Sequence, residues 1–258
     1  MAVAKVNNVK IHYQYKDHGH EEVLIFSNSL GCNLSMWSYQ EMLKEHFNIL
    51  TYDTRGHGDS EITLGKYTVE LLGNDVLALA DHLNIEKFNF CGLSMGGLIG
   101  QWLGIHAGNR LNHLIIANTA AKIGTETGWN DRIQFVNHNK MADLVDGSKV
   151  RWFTPEYCIE FPQEVSKLTD QIANTSPDGY VANCAVVRDA DFREQLHKIK
   201  TPTLIISGTK DEVTTVEHGK FLNEQIKDSE HVSLNAAHLS NVEQAEGFSE
   251  YILNFIKE

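Results

Sequence analysis

The chain has 258 residues, with 22 Lys and Arg against 34 Asp and Glu, which gives a formal net charge of −12 at pH 7. This acidic balance argues against non-specific binding to nucleic acid or to an anionic membrane, so any anionic ligand must be held by local cations. The four cysteines are widely spaced, and the apolar runs fall short of the length that a membrane helix needs. We therefore expect free thiols, no signal peptide and a cytoplasmic location.

Short β-rich runs alternate with helical patterns along the chain. The first run, VKIHYQY, alternates like a half-exposed strand, whereas the later runs are the compact apolar segments of strands covered on both faces. These later runs are, in chain order, VLIFSNS, FNILTYD, FNFCGL, LNHLIIANT and PTLIIS. The clearest helix pattern runs from Val69 to Leu83 with Thr68 as its cap, and a second covers Val242 to Ile256. This alternation predicts an α/β fold with a mostly parallel, doubly wound sheet flanked by helices.

The regular alternation stops between residues 121 and 191. That stretch mixes charges, aromatic residues and weak helical patterns, as in GWN and RWFTPEY. We interpret it as a helical cap inserted into an α/β core made of residues 1–120 and 192–258.

The segment CGLSMGGLIG, from Cys91 to Gly100, lies where a strand pattern gives way to a helix pattern. It contains the motif G-x-S-x-G, in which Gly92 and Gly96 flank Ser94. In this motif the serine sits on a strained turn that projects its hydroxyl above the sheet as a nucleophile. The alternative is a glycine-rich packing corner or a phosphate-binding loop, but the glycines fit neither of the usual phosphate-loop patterns.

A serine nucleophile needs a base, and the base needs an orienting acid. In α/β-hydrolases the acid and then the histidine follow the serine along the chain. Here Asp211 follows the buried run PTLIISG, and His238 follows a short strand run before the last helix. Both positions lie at the carboxyl ends of strands, where open parallel sheets have their sites. We predict a triad of Ser94, Asp211 and His238, with Glu212 as the rival acid.

The run LIFSNSLG ends a strand at the point where this fold supplies the second oxyanion donor. We expect the backbone N–H groups of Leu30 and Met95 to converge on the oxyanion. Many relatives carry His-Gly where this chain has Asn28 and Ser29, and the change is tolerable because main-chain groups are the donors.

A second polar loop, YDTRGHGDS, follows another strand run. Its Asp53, Arg55 and His57 resemble catalytic side chains, but we interpret them as structural groups that join loops through charge-assisted hydrogen bonds.

Several blocks of the chain resemble one family, the 3-oxoadipate enol-lactonases of bacterial aromatic catabolism. These blocks are NSLG, YDTRGHG, CGLSMGGLIGQWLG, NTAAKIGT, WNDRI, RWFTP and AAHLSNVEQ. The resemblance implies a cofactor-free, metal-free esterase with a helical cap, which opens a five-membered enol-lactone carrying an acetate arm. It also implies the same triad of Ser94, Asp211 and His238. The departures from the family pattern lie within SGTKDEVTT and VEQAEGF, and they replace none of the triad residues.

The acetate arm that this resemblance implies needs a cation within an acidic protein, and Arg is the better carboxylate partner. The cap segment offers Arg132, Arg151 and Arg188. We favour Arg132 beside Trp129, with Trp152 as an apolar wall and Arg188 as a further candidate.

Other functions on the same scaffold stay open at this point. A general carboxylesterase or perhydrolase uses the same triad on neutral esters, and a ligand receptor reacts once or slowly. A zinc lactonase is disfavoured because the sequence has no clustered H-x-H-x-D-H run, and His18 and His20 lack further ligands nearby. The sequence leaves open the oligomeric state, with a homo-oligomer among the options, and the pathway branch that supplies the lactone.

Overall fold

The computed structural model describes residues 1–257, which form eight strands in one sheet and ten α-helices. The strands are β1 (Ala2–Val6), β2 (Val9–Lys16), β3 (Val23–Ser27), β4 (Asn48–Tyr52), β5 (Phe88–Leu93), β6 (Leu111–Ala117), β7 (Thr203–Gly208) and β8 (Ser229–Leu234). The helices are α1 (Val69–His82), α2 (Met95–His106), α3 (Glu126–His138), α4 (Val145–Trp152), α5 (Pro155–Glu160), α6 (Pro162–Asn174), α7 (Pro177–Asp189), α8 (Val216–Gln225), α9 (Ser240–Glu243) and α10 (Ala245–Lys257).

The sheet has the strand order β1-β2-β4-β3-β5-β6-β7-β8. Only the pairs β1–β2 and β2–β4 are antiparallel, and the six strands from β4 to β8 run parallel. Strands β3, β4, β5 and β7 are buried along their whole length, as expected for strands covered by helices on both faces. The predicted α/β fold class is confirmed. None of the helices within residues 1–257 is both long enough and apolar enough to cross a bilayer.

Local chemistry explains where most elements begin and end. Helix α1 starts where predicted, because the Thr68 side chain accepts a hydrogen bond from the N–H of Leu71. The prediction of one continuous helix over residues 242–256 is wrong. The chain is non-helical at Gln244, which separates the short helix α9 from α10. Strand β1 was not predicted. It pairs with β2 through a tight turn at Asn7 and Asn8, both with positive φ.

The chain between β6 and β7 carries helices α3 to α7. The proposed cap boundaries, 121 and 191, stay a prediction, but the contact that seats this segment on the rest of the molecule is clear. Gly179 of α7 lies against Gly56, and a Cβ atom added at Gly179 would come within 2.1 Å of the Gly56 carbonyl oxygen. The amide of Asn183 donates to the carbonyl of Arg55 at 2.9 Å. The cap therefore rests directly on backbone of the loop after β4.

The same loop is fixed from below by a buried ion pair. Arg55 donates from Nε and Nη2 to the two carboxylate oxygens of Asp75 on α1, at 2.8 and 2.7 Å. Both side chains are almost fully buried. Such a bidentate pair fixes geometry as well as charge, which supports a structural role for Arg55.

We expect Asp75→Ala to destabilise the protein by about 3–5 kcal/mol, because it leaves the Arg55 charge buried without a partner. Urea unfolding measures the change. The matched control is Asp81→Ala, which removes an exposed carboxylate paired with Arg110 and should cost less than about 1 kcal/mol. Equal losses in the two variants would contradict a special role for the buried pair.

Candidate active site

Ser94 occupies a sharp turn between β5 and α2. Its backbone has φ 58° and ψ −111°, a positive-φ conformation that a non-glycine residue adopts only under constraint. The constraint is the close approach of α2 to β3: a Cβ atom at Gly96 would lie 2.2 Å from the carbonyl oxygen of Ser27. Although Ser94 precedes the first residue of α2, its hydroxyl makes no capping bond. The turn thus holds a hydroxyl that the helix does not use.

Asp211 and His238 form a buried pair beyond the ends of β7 and β8. His238 Nδ1 lies 2.8 Å from Asp211 Oδ2. The second oxygen, Oδ1, accepts from the backbone N–H groups of Val213 and Thr214 at 2.8 and 3.0 Å. Oδ2 also accepts from Thr214 Oγ1 and Asn118 Nδ2, at 2.8 and 3.0 Å. The carboxylate is therefore fixed in position, and it in turn fixes the imidazole.

The charge of this pair follows from its surroundings. Burial opposes ionisation of Asp211, but the His238 charge and the hydrogen bonds to the carboxylate outweigh it and hold the pKa of Asp211 well below its usual value. Asp211 is thus ionised at neutral pH and can stabilise an imidazolium. The rival acid, Glu212, is exposed, and the hydrogen bond of His238 goes to Asp211.

Asn118 connects three parts of this network, and the sequence analysis did not single it out. Its amide nitrogen donates to Asp211 and to the carbonyl of Ala237, and its amide oxygen accepts from Ser240 Oγ at 2.5 Å. Asn118 has a φ of 43°, in the left-handed region that Asn tolerates. An Asn at the end of the run LNHLIIANT was the available signal.

The predicted oxyanion donors are the backbone N–H groups of Leu30, in the loop after β3, and of Met95, at the start of α2. Both residues are buried. Within residues 1–257 neither N–H donates to a protein acceptor. Buried N–H groups without a partner are rare, and a reactive oxygen is one acceptor that satisfies them.

Side chains hold the loop that carries Leu30. Asn28 accepts from Trp37 Nε1 and donates to the carbonyl of Tyr52, both at 2.9 Å. The next anchor is His57, whose Nε2 accepts from the N–H of Gly31 at 2.9 Å. The Asn28 side chain therefore helps to fix the loop that carries Leu30.

His57 is a neutral structural histidine. Because Nε2 accepts a hydrogen bond, the ring proton must be on Nδ1. Complete burial lowers the pKa of His57 from its ordinary 6.5 to about 4. Asp53, in the same loop, also makes structural hydrogen bonds with both carboxylate oxygens. They accept from the N–H groups of Leu34 and Asp59, and one of them bonds to the ring of His12. The structural interpretation of this loop agrees with these contacts.

A metal ligand set is the other interpretation of the loop. His12, Asp53 and Asp59 have potential ligand atoms within 4.8 Å of one another. However, Asp53 is occupied by its N–H donors, and the Asp59 side chain is largely exposed. These contacts explain the cluster without an ion.

A cavity of about 60 Å³ lies between the core and the helices α3 to α7. From the core, the residues that line it include Leu30, Ser94 and His238. From α3 and α4 they include Trp129, Arg132, Arg151 and Trp152. A space of this size holds a few water molecules, so it fits a compact ligand better than a long acyl chain.

Two arginines meet in this cavity. The Arg132 guanidinium lies over the Tyr180 ring at 6.0 Å. Burial and the nearby charge of Arg132 lower the pKa of Arg151, whose hydrogen bond goes to Ser148 at 3.4 Å. In the part of the chain that the structure describes, neither arginine has a carboxylate within ion-pair distance. The cavity therefore contains positive charge that the protein does not neutralise.

Arg188 is the predicted substrate-binding residue that the structure does not bring to the cavity. Its guanidinium bonds to both carboxylate oxygens of Asp189 and to Asn130. It is thus neutralised by its own neighbour, and we correct the expectation for it. Arg151, which directly precedes Trp152 in the run RWFTP, lines the cavity instead.

Residues 22–245 match the family described as alpha/beta hydrolase fold. The chain belongs to this family and is a hydrolase. It is 45% identical over 243 residues to 3-oxoadipate enol-lactonase 2 of Acinetobacter baylyi, covering 94% of this chain and 91% of the relative. It is 43% identical over 235 residues to 3-oxoadipate enol-lactonase 1 of the same organism, covering 91% and 88%. Within the family, the chain therefore belongs with the 3-oxoadipate enol-lactonases.

A solved structure gives the same grouping. The enol-lactonase from Burkholderia xenovorans LB400 superposes with a TM-score of 0.97 at 40% identity, covering 100% of both chains. The likeness extends over the cap helices as well as the sheet.

Neutral His57 predicts a pH dependence of stability. The unfolded chain takes up a proton at His57 as the pH falls below 6.5, whereas the folded chain resists until about pH 4. The unfolded state therefore binds more protons in this window, and stability declines as the pH falls through it, by an amount on the order of 3 kcal/mol for the full shift. Urea unfolding at several pH values should show a shallower decline in His57→Gln than in the wild type. The exposed His138→Gln is the control, and an unchanged slope in His57→Gln would refute the assignment.

Proposed function

We propose that the protein hydrolyses 3-oxoadipate enol-lactone to 3-oxoadipate, a step of the β-ketoadipate pathway of aromatic catabolism. The observation that carries the proposal is the pair of unneutralised arginines in a small cavity that also contains Ser94 and His238. A compact anionic ester fits that combination of volume, charge and nucleophile. The relatives named as 3-oxoadipate enol-lactonases supply the identity of the anion.

The proposed reaction begins with acylation. Ser94 Oγ attacks the lactone carbonyl carbon while His238 takes the hydroxyl proton and Asp211 stabilises the imidazolium. The N–H groups of Leu30 and Met95 donate to the developing oxyanion. Collapse of the tetrahedral intermediate breaks the ring C–O bond and leaves an enolate.

The leaving group makes this step hard to reverse. The enolate takes the proton held by His238 and becomes a ketone, which cannot attack the acyl-enzyme as the enol oxygen could. Water, deprotonated by His238, then attacks the Ser94 ester, and the same two N–H groups bind the second oxyanion. Release of Ser94 gives free 3-oxoadipate.

The arginines have a separate part in this scheme. Arg132 and Arg151 bind the acetate carboxylate of the lactone, and the planar guanidinium groups suit its two oxygens. Because both project from the cap, they orient the lactone from the side opposite Ser94. Trp129 and Trp152 line the same space as apolar walls.

A general carboxylesterase or perhydrolase is the second candidate, since it would use the same triad. The arginine pair argues against this function, because a neutral ester gains nothing from two partly buried positive charges. The discriminating experiment compares ultraviolet absorbance decay of 3-oxoadipate enol-lactone with cleavage of a short-chain nitrophenyl ester. Fast multiple turnover of the lactone with weak ester cleavage supports the proposal. Fast ester cleavage with the lactone untouched overturns the substrate, and a single slow turnover on either favours a receptor.

Ser94→Ala should lower kcat for the lactone by roughly 10⁴-fold or more, because it removes the nucleophile. The matched control is Ser166→Ala, which removes an exposed serine hydroxyl from helix α6 of the cap and should retain full activity. Substantial lactonase activity in Ser94→Ala, with the fold verified by circular dichroism, would contradict the mechanism.

Arg132→Leu and Arg151→Leu should each raise KM for the lactone by about tenfold or more, the cost of losing a charge-assisted hydrogen bond. KM for the neutral nitrophenyl ester should change little. Arg188→Leu is the matched control, because it removes a cap arginine that lies outside the cavity. Equal effects on both substrates would show that the arginines do not bind the carboxylate.

A further inference from the structure

The residues on both sides of His238 are connected to the cap by hydrogen bonds, one through Glu243 and one directly. On the preceding side, the N–H of Ala237 donates to Glu243 Oε2 at 2.6 Å. On the following side, the N–H of Leu239 donates to the carbonyl oxygen of Trp152 at 3.0 Å. The loop that presents His238 is thus held from two directions.

Glu243 continues the first attachment into the cap. Its other oxygen, Oε1, accepts from the N–H of Thr154 at 2.5 Å and from Thr154 Oγ1 at 3.0 Å. Thr154 is the N-cap residue of α5, and it lies two residues beyond Trp152, which lines the cavity. One carboxylate therefore joins the segment Trp152–Thr154 to the histidine loop.

Helix capping alone does not account for these contacts. The Thr154 hydroxyl already caps α5 by accepting from the N–H of Tyr157 at 3.3 Å. If Glu243 only supported the start of α5, its second carboxylate oxygen would have no role. That oxygen instead accepts from the N–H of Ala237, in the loop that carries His238. The half-buried carboxylate is shared between two segments that are more than eighty residues apart.

We propose that Glu243 is a positioning residue that couples the seating of the cap to the orientation of His238. The proposal rests on the proposed function, in which His238 is the base for Ser94. When the cap is seated, Glu243 and the Trp152 carbonyl hold the loop on both sides of His238. When the cap is displaced, Leu239 loses the Trp152 carbonyl and Glu243 loses Thr154. Glu243 is then no longer fixed where it holds Ala237, so His238 is aligned only while the cap covers the substrate.

Glu243→Gln tests this coupling because it replaces one of the two carboxylate oxygens with an amide nitrogen. That nitrogen cannot accept a hydrogen bond, so the side chain can no longer hold the N–H groups of both Ala237 and Thr154. The matched control is Glu160→Gln, which makes the same charge change in the same surface groove at an exposed side chain. The first readout is the second-order rate at which a small neutral fluorophosphonate inactivates the enzyme. That reaction needs Ser94 and its base but no lactone, so it tests the coupling even if the lactone is not the substrate. The second readout is kcat and KM for the lactone, with the pH profile of kcat/KM.

For Glu243→Gln we expect the inactivation rate and kcat to fall together by roughly 10- to 100-fold, as for a misplaced catalytic group. KM should change little, and the limb of the pH profile that reports the base should shift. Glu160→Gln should match the wild type. Glu243→Asp keeps the charge but is one methylene too short to reach both segments, so it should show the same pattern and serves if the Gln variant does not fold.

Three results would overturn the coupling. The first is a folded Glu243→Gln or Glu243→Asp that inactivates at the wild-type rate. The second is a loss confined to KM, which would make Glu243 a cap residue without effect on the base. The third is an equal loss in Glu160→Gln, which would make the effect one of general charge. Normal inactivation of the wild type without lactone turnover would refute the substrate and leave the coupling standing.

Discussion

The close approach of helix α2 to the end of strand β3 determines most of the site. A glycine at position 96 lets the backbone of α2 lie against the Ser27 carbonyl, and this contact forces Ser94 into its positive-φ turn. The same contact brings the N–H of Met95 beside the loop that carries Leu30. The turn at Ser94 and the position of the Met95 N–H therefore follow from one steric relation, and a side chain at position 96 would displace both.

The second constraint is electrostatic. The protein carries a net charge of −12, yet its cavity contains two arginines without carboxylate partners. Shielding such charges from water, even in part, is unfavourable unless a counter-ion is present. Under the proposed function, the carboxylate of the lactone is that counter-ion. Selectivity for an anion would then come from the two unpaired arginines of the cap rather than from the overall charge of the surface.

The sequence was most informative where function depends on local backbone chemistry. The turn at Ser94 is visible because glycines must flank it, and Asp211 and His238 are visible because strand ends and chain order locate them. The choice between Arg151 and Arg188 was not readable, because it depends on which face of a short cap helix meets the cavity. Asn118 and Glu243 were missed for a related reason, since Asp211, the partner of Asn118, and Thr154, a partner of Glu243, lie far away along the chain. Strand β1 was missed because its alternating pattern is short and its turn residues, Asn7 and Asn8, lack the usual glycine.

The backbone contact between Gly56 and Gly179 has a consequence for how such enzymes diversify. Core and cap meet there with no side chain between them, and the Asn183 amide bridges the same junction. A cap from a relative can be transplanted onto this core only if it brings a glycine to the matching turn of its helix. Whether a recombinant of two family members folds therefore depends on a contact between two main chains that is remote from the reacting atoms.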